Sequence, residues 1–442
     1  MINKKFRYIC LILFTILSLF SGDVRSQQKR IITSIEQAIS LAMKDNSDVI
    51  NARYEKLKAE QKVSEVYSEN LLPSITLNSN YTRSFKKQVF DIFGEKIEIG
   101  SDNALTTTLN ATESIPVLGT PVFSGIRIAE YYSRIQQENV ESVENDVRNT
   151  VKNSYFGVLL SKAVVDVNEI TFTNAEENYK VVESRFRNGV ATEFDFLRAR
   201  VKVENVRPVL LKSERDFEIS KKLFSNAIGL KVNDEIEILD SLQYDSTEVW
   251  ESTDVMIDRI SEEYVTVRQL KLNKKISQEL VNVDKANYLP KLFLFGQYSL
   301  ISQENDGQSL TNYRFFNTLN AGIGLSWDLN LFRNSYKVAQ SEIEVKKSEE
   351  QIRDVKQKLK LRSESAIIAL DDAKQRILST KETVILAERG LELANKSYIE
   401  GVLNQIDVQD AELTLYNSRL GYYQAVFDYQ IAKSELEKLL EK

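Results

Sequence analysis

Phe186-Arg187-Asn188-Gly189-Val190-Ala191-Thr192-Glu193-Phe194-Asp195-Phe196-Leu197 and Tyr398-Ile399-Glu400-Gly401-Val402-Leu403-Asn404-Gln405-Ile406-Asp407-Val408-Gln409 are two versions of one phrase. Gly189 to Gly401 is a step of 212 residues, and Asp195 to Asp407 and Ala199 to Ala411 repeat that step. Glycine permits the left-handed backbone that ends a helix. Thr192 and Asn404 are good N-cap residues, with Asp195 and Asp407 three positions later. Each copy therefore reads as a break or sharp kink where one long helix hands over to the next. Self-similarity at so long a period means two homologous halves and not a solenoid of small units.

A chain of 442 residues has room for about three ordinary domains, but the duplication argues for one unit made of two similar halves. Charged residues make up 28%, with only 5 prolines and 15 glycines, a balance that suits long helices. Histidine is absent and Cys10 is the only cysteine. Beyond Cys10 there is no thiol or imidazole, which removes disulfides, Cys/His metal sites and Ser-His or Cys-His catalysis. No paired acid, nucleophile or metal set emerges either, so the chain reads as a non-enzyme that needs no cofactor.

Lys4, Lys5 and Arg7 precede an apolar run from Ile9 to Phe20, too short to span a bilayer. Residues 1–26 are expected to be a secretory signal, cleaved after Ser26. Its four basic residues against Asp23 give it +3, so its loss takes the net charge from −6 to −9. That acidic balance speaks against a nucleic-acid partner.

Further along, Ser34 can cap a helix whose Ile35, Ala38, Ile39 and Ala42 share one face. A second helix is expected from about Val49 to Ser68, before Leu72-Pro73. The period then becomes two: Ile75, Leu77 and Tyr81 alternate with Thr76, Asn78, Asn80 and Thr82. Past a polar loop at 86–103, Leu105, Leu109 and Ala111 alternate with Thr106, Thr108 and Asn110. Both runs are long enough to cross an outer membrane when tilted. Val140, Val143, Val147, Val151, Tyr155 and Val158 then recur at spacings of 3 and 4, as in a coiled-coil seam. A turn is expected within 161–172, followed by a helix through Gly189 to about Gly229, interrupted at Pro208.

The sequence thus predicts a mainly α chain with membrane β. The first repeat covers 27–229, with strands at about 74–86 and 104–116 and a long hairpin at 126–229. An irregular linker at 230–255 leads to a second repeat, 256–442. It opens on a helix from about Asp254 to Asn287, followed by strands at about 291–301 and 318–332 and a hairpin at 336–442. Leu319, Ala321, Ile323, Leu325, Trp327, Leu329 and Leu331 alternate almost without interruption. Trp327 on one side, and Tyr313, Phe315 and Phe316 on the other, are candidates for the aromatic girdles at the two membrane interfaces.

Helix, helix, Leu-Pro, strand pair and long helical hairpin, all given twice, resembles the TolC-like outer-membrane efflux proteins over 27–442. Ala38-Ile39-x-x-Ala42, Leu72-Pro73-Ser74, Tyr155-Phe156-x-Val158-Leu159, Gly189-Val190-Ala191-Thr192-x-x-Asp195 and Gly401-Val402 with Asp407 carry the resemblance. It implies a homotrimer: a shared twelve-stranded barrel in outer-membrane lipid above a periplasmic α-barrel. It also implies a passive exit duct for efflux or secretion, opened at its helical tips by a periplasmic adaptor and driven by an inner-membrane transporter. In such a family acidic residues can line the closed end. With the tips expected at about 158–172 and 370–383, Asp166, Asp371 and Asp372 become the gate candidates. The competing reading is a periplasmic coiled-coil adaptor or scaffold without a pore; four membrane-length strands favour the duct. A secreted hydrolase comes third.

Overall fold

The computed structural model describes residues 30–441 apart from 33, 117–119, 232–233, 235, 245–249, 308 and 310–311, so the leader expected at 1–26 lies outside it. A short strand β1 (Arg30–Ile32) precedes helices α1 (Ile35–Asp45) and α2 (Ser47–Leu71). Strands β2 (Ser74–Arg83), β3 (Gln88–Ile92), β4 (Glu95–Ile99) and β5 (Asn103–Ser114) lead to helices α3 (Val122–Arg187) and α4 (Glu193–Ala227). Strand β6 (Ile236–Ile238) opens the second half, with helices α5 (Thr253–Glu263) and α6 (Val265–Ala286) and strands β7 (Lys291–Glu304) and β8 (Phe316–Ser326). Helices α7 (Leu331–Ile399) and α8 (Gln405–Leu439) complete it.

Contacts divide the chain into two units, and the chain passes between them more than once. One contains residues up to 50, 144–256 and 362–442. Within it, α3 buries Val147, Val151, Tyr155 and Val158, and α7 buries Ser363, Ala366, Leu370, Ala373 and Ile377. The alternating spacing of 3 and 4 keeps each seam on one side of its helix. Helix α8 is tied to α3 by Lys438 to Asp146 at 2.6 Å, by Ser434 to Asn149 at 2.6 Å and by a Lys152–Glu437 ion pair. The irregular segment after β6 is pinned too. Tyr155 donates its hydroxyl to Asp240 at 2.5 Å and packs on Phe224, and the Lys162 ammonium donates to the Asp240 carbonyl. Burial first, and then the carboxylate it faces, push the Tyr155 hydroxyl above its usual pKa. β6 pairs in parallel with β1.

The other unit, residues 51–143 and 257–361, holds a four-stranded antiparallel sheet in the order β2-β5-β7-β8. Its helices are cross-linked by ion pairs, with Arg127 gripping Glu279 through two bonds of 2.7 and 2.8 Å and Arg268 reaching Glu138 and Glu141.

Several expectations need correction. No turn occurs within 161–172: α3 runs unbroken to Arg187 because its apolar seam continues through Ala163, Val167, Ala175 and Val182. Helix α4 likewise passes through Pro208. The helix expected at 254–287 is two helices parted at Tyr264, whose ψ of 140° is extended. The carbonyls freed there are met by side chains, Arg268 on Glu263 and Lys271 on Glu262. Strand β8 stops at Ser326, and Leu331 already belongs to α7 although the alternation runs on. The loop at 86–103 is largely a β-hairpin, β3 with β4.

Candidate functional site: paired helix turns and a two-faced sheet

The repeated phrase forms the two turns that join α3 to α4 and α7 to α8. At the first, Gly189 has φ +72°; its N–H donates to the Phe186 carbonyl at 2.9 Å and Val190 N–H donates to Arg185 at 2.8 Å. At the second, Gly401 has φ +78°, with Gly401 N–H on Tyr398 at 3.1 Å and Val402 N–H on Ser397 at 2.9 Å. This pair of bonds satisfies carbonyls that a helix end leaves open. The next helix starts at once. Thr192 accepts from Asp195 N–H at 3.1 Å while Thr192 N–H donates to the Asp195 carboxylate. Asn404 and Asp407 do the same, at 3.1 Å in both directions. Phe186 stacks on Phe196, centroids 5.2 Å apart, and the Arg185 guanidinium lies over the Tyr398 ring, joining one turn to the other.

Apolar side chains remain outside: Val190 is 75% exposed, Phe194 64% and Val402 74%. The acidic candidates are elsewhere. Asp166, Asp371 and Asp372 are exposed mid-helix residues, and Asp371 faces Lys374 one turn on at 3.8 Å. Asp166 precedes the end of α3 by about 30 Å at an α-helix's rise per residue. The residues expected to mark tips therefore mark helix interiors, and the acids beside the turns are Glu193, Asp195, Glu400, Asp407 and Asp410.

In α8, Glu412 lies beside Tyr416 and Arg419 with Val167, Ile170 and Leu391. Burial holds its carboxyl above the usual range, opposed by the Lys202 charge. A carboxyl whose folded pKa is raised favours folding below its unfolded pKa, and that benefit is lost as pH rises through the folded value. Glu412→Gln is therefore expected to stabilise the protein at neutral pH, by on the order of 1 kcal/mol. The gain should vanish below pH of about 4. Thermal melts of both proteins at the two pH values check this.

The sheet has two chemically distinct faces. Register places Ile75, Leu77 and Tyr81 beside Ala111, Leu109 and Leu105, then beside Gly296, Tyr298 and Ser302, with Ala321 and Leu319 on β8. On this apolar face the Ser79 and Thr107 hydroxyls bond each other at 2.9 Å. The opposite face carries Thr76, Asn78 and Asn80 beside Asn110, Thr108 and Thr106, then Gln297 and Ser299 with Asn320 and Thr318. Two aromatic rings break the polar pattern. Phe295 lies over Gly322 and Phe293 over Gly324, where an added Cβ would come within 2.2 Å of the ring. The small residues of β8 thus accommodate aromatic cover from β7, a pairing that the sequence pattern of β8 alone does not reveal. Of the girdle candidates, Phe316 pairs with Ile301 and so falls on the polar face. Tyr313 and Phe315 precede β8, and Trp327 follows it, donating its indole N–H to the Tyr288 carbonyl at 3.1 Å.

Among the described residues no helix is long and apolar enough to cross a membrane, which says nothing of the sheet. The deciding observation is a family model: the model described as "Outer membrane efflux protein" matches residues 38–229 and 256–441. The chain belongs to the outer membrane efflux protein family. Its sequence is similar to outer membrane protein TolC of Escherichia coli, 21% identical over 418 residues that cover 92% of this chain and 82% of TolC. Its fold is similar to VceC, an outer membrane protein of Vibrio cholerae, with a TM-score of 0.73, 13% identity, and coverage of 92% of this chain and 96% of VceC. The open-state MtrE outer membrane channel of Neisseria gonorrhoeae gives 0.72 and 16%, covering 92% and 88%. This efflux protein is therefore an outer-membrane channel reaching into the periplasm, and the adaptor or scaffold reading is not favoured. Its family is one of passive channels and not of enzymes.

Proposed function

We propose that three copies of this efflux protein complete one passive duct, with the turns at 188–192 and 400–404 as its periplasmic gate. The observation that carries the reading is the sheet: β2 and β8 are both edges, and its faces are apolar and polar. Unpaired edges are not tolerated in lipid, so such a sheet must close. A single four-stranded sheet is too narrow to do so, whereas an even number of antiparallel strands per copy lets β8 of one copy meet β2 of the next antiparallel. Three copies supply twelve strands, an even count within the range of such barrels. The Thr, Asn and Ser face then lines water and the Leu, Ile and Tyr face meets lipid.

Movement belongs to the turns, where the exposed Val190, Phe194 and Val402 offer an apolar surface to a periplasmic adaptor. With no energy source in the chain, the solute is driven by an inner-membrane transporter. The acids that would repel one another across a closed end are Asp407 and Asp410, in the first two turns of α8. Like charges brought together favour cations at the constriction.

The test of the duct is extraction: a detergent-solubilised trimer from the outer membrane with single-channel conductance supports it, and a monomer soluble without detergent sinks it. For the gate, Asp407→Ala with Asp410→Ala should change the closed-state cation conductance several-fold. Asp371→Ala with Asp372→Ala, far along α7, should leave it unaltered. For the adaptor surface, Val190→Asp with Val402→Asp should abolish export while the trimer still assembles; a growth assay on compounds that a strain lacking the channel fails to expel reads the outcome. Full export by that variant would remove the assignment.

A further inference from the structure

The β3–β4 hairpin stands at the end of the sheet remote from the helices, directly after the edge strand β2. Its pairing is Gln88 with Ile99, Phe90 with Ile97 and Val89 with Glu98, so Phe90, Ile97 and Ile99 share one side while Val89, Asp91, Lys96 and Glu98 share the other. Phe90, Ile97 and Ile99 are all exposed. A lone two-stranded hairpin is marginal in water, and among the described residues this one pairs only with itself. Its tip is costly as well. Phe93 has φ +58°, left-handed backbone that bulky residues avoid, and its ring is fully in solvent.

The root of the hairpin, in contrast, is fixed. Lys87 pairs with Asp102 at 3.0 Å and donates to Asn305 at 2.8 Å, Arg83 pairs with Asp306 at 3.0 Å, and Asp306 N–H donates to Asp102. That N–H and then the Lys87 ammonium hold the Asp102 carboxyl below its ordinary range. A rigid root carrying an uncovered apolar ribbon is built to meet something at a fixed place.

We infer that this hairpin is an inter-subunit clasp: its apolar side seats on the Phe315–Phe316 end of β8 in the neighbouring copy of this chain. This rests on the three-copy reading above. The argument for that occupant is continuity. Closure sets β2 of one copy against β8 of the next. Phe316 lies in register with Ile301, Thr106 and Asn80, so Phe315 and Phe316, both exposed, stand at the same end of the sheet as Phe85 and the hairpin. Each edge brings exposed aromatic surface to the same rim, and neither set is covered by the described residues of its own chain. The clasp would lie beyond the lipid, where backbone pairing across the seam has ended, and so add a contact that the barrel strands do not make.

Cysteine cross-linking separates the clasp from the seam, because Cys10 is the only native thiol. In the full chain with Cys10→Ser, Arg314→Cys is combined in turn with Phe85→Cys, Gln88→Cys and Glu95→Cys, which leave Phe90 and Ile97 intact. A second set combines Leu319→Cys with Leu77→Cys, Ser79→Cys or Tyr81→Cys along the two edges. Both sets are treated in outer membranes with a short bifunctional maleimide. Dimer and trimer bands from at least one pair of each set are expected, and Phe90→Ser with Ile97→Ser should lower the temperature at which the trimer dissociates. Linked edges with an unlinked hairpin would overturn the clasp alone. If neither set links, the three-copy reading falls and takes the clasp with it.

Discussion

Replacing Gly229 by alanine is expected to cost this efflux protein about 3 kcal/mol or more, the sum of a left-handed alanine and a backbone collision. Gly229 follows α4 with φ +79°, and a Cβ there would lie 2.4 Å from the Asp45 carbonyl carbon and 2.6 Å from Asn46 N. Neither neighbour can retreat freely. Asn46 stands at the α1–α2 junction and donates its amide to the Ala227 carbonyl at 2.9 Å, capping the end of α4. Around it Phe224, Ser225 and Ile228 are buried. Gly189 and Gly401 provide the comparison. They share the sign of φ but have nothing within 4 Å of the added carbon. Gly189→Ala and Gly401→Ala should therefore cost only about 1 kcal/mol each, the strain without the collision. Denaturant unfolding of the three variants would measure the gap; equal losses would mean that the contact at Asp45 and Asn46 is not what holds Gly229 in place.

The second large effect concerns neighbouring residues of β5 with opposite fates. Leu109 pairs with Leu77 and Tyr298 on the apolar face; Thr108 pairs with Asn78 and Ser299 on the polar one. In the proposed barrel, Leu109→Arg puts a guanidinium into lipid near mid-strand, at about 2–4 kcal/mol in every copy. It should abolish outer-membrane insertion, leaving aggregated or degraded chain. Thr108→Arg places the same charge in the lumen of that proposed barrel. It should insert at near-normal yield and shift the conductance toward anions. Membrane fractionation and reversal-potential measurements read the pair. If both variants insert alike, the two faces have been assigned wrongly.

Much of this architecture could be read from spacing. The two-residue alternation of 74–83 and 103–114 demands a sheet with unlike faces, and Leu-Pro before the first strand ends a helix for steric reasons. The chemistry of Gly189 and Gly401, with their capping partners, is local and therefore visible in a short window. What failed was the inference about where each long hairpin reverses. Polar residues such as Asn168 interrupt the seam of α3 within the 161–172 window. In the fold Asn168 is buried and accepts a hydrogen bond from Tyr416 of α8, so a polar residue sits inside the seam without ending the helix. Misplacing that reversal carried Asp166, Asp371 and Asp372 with it. The outer hairpin was missed because charged residues occupy one of its sides, and a short ribbon with one charged side looks polar throughout. The Phe293 and Phe295 covers over glycine are invisible for another reason: they depend on cross-strand register, which composition does not encode.

Because each chain brings two open edges and no closed wall, the proposed three-copy closure makes the quality of one copy the concern of its neighbours. A cell making sound and faulty versions together would be left with working pores only where every member drawn was sound. Damage to β2 or β8 should thus behave as a dominant trait, whereas a lesion that prevents the chain from reaching the membrane at all should be recessive.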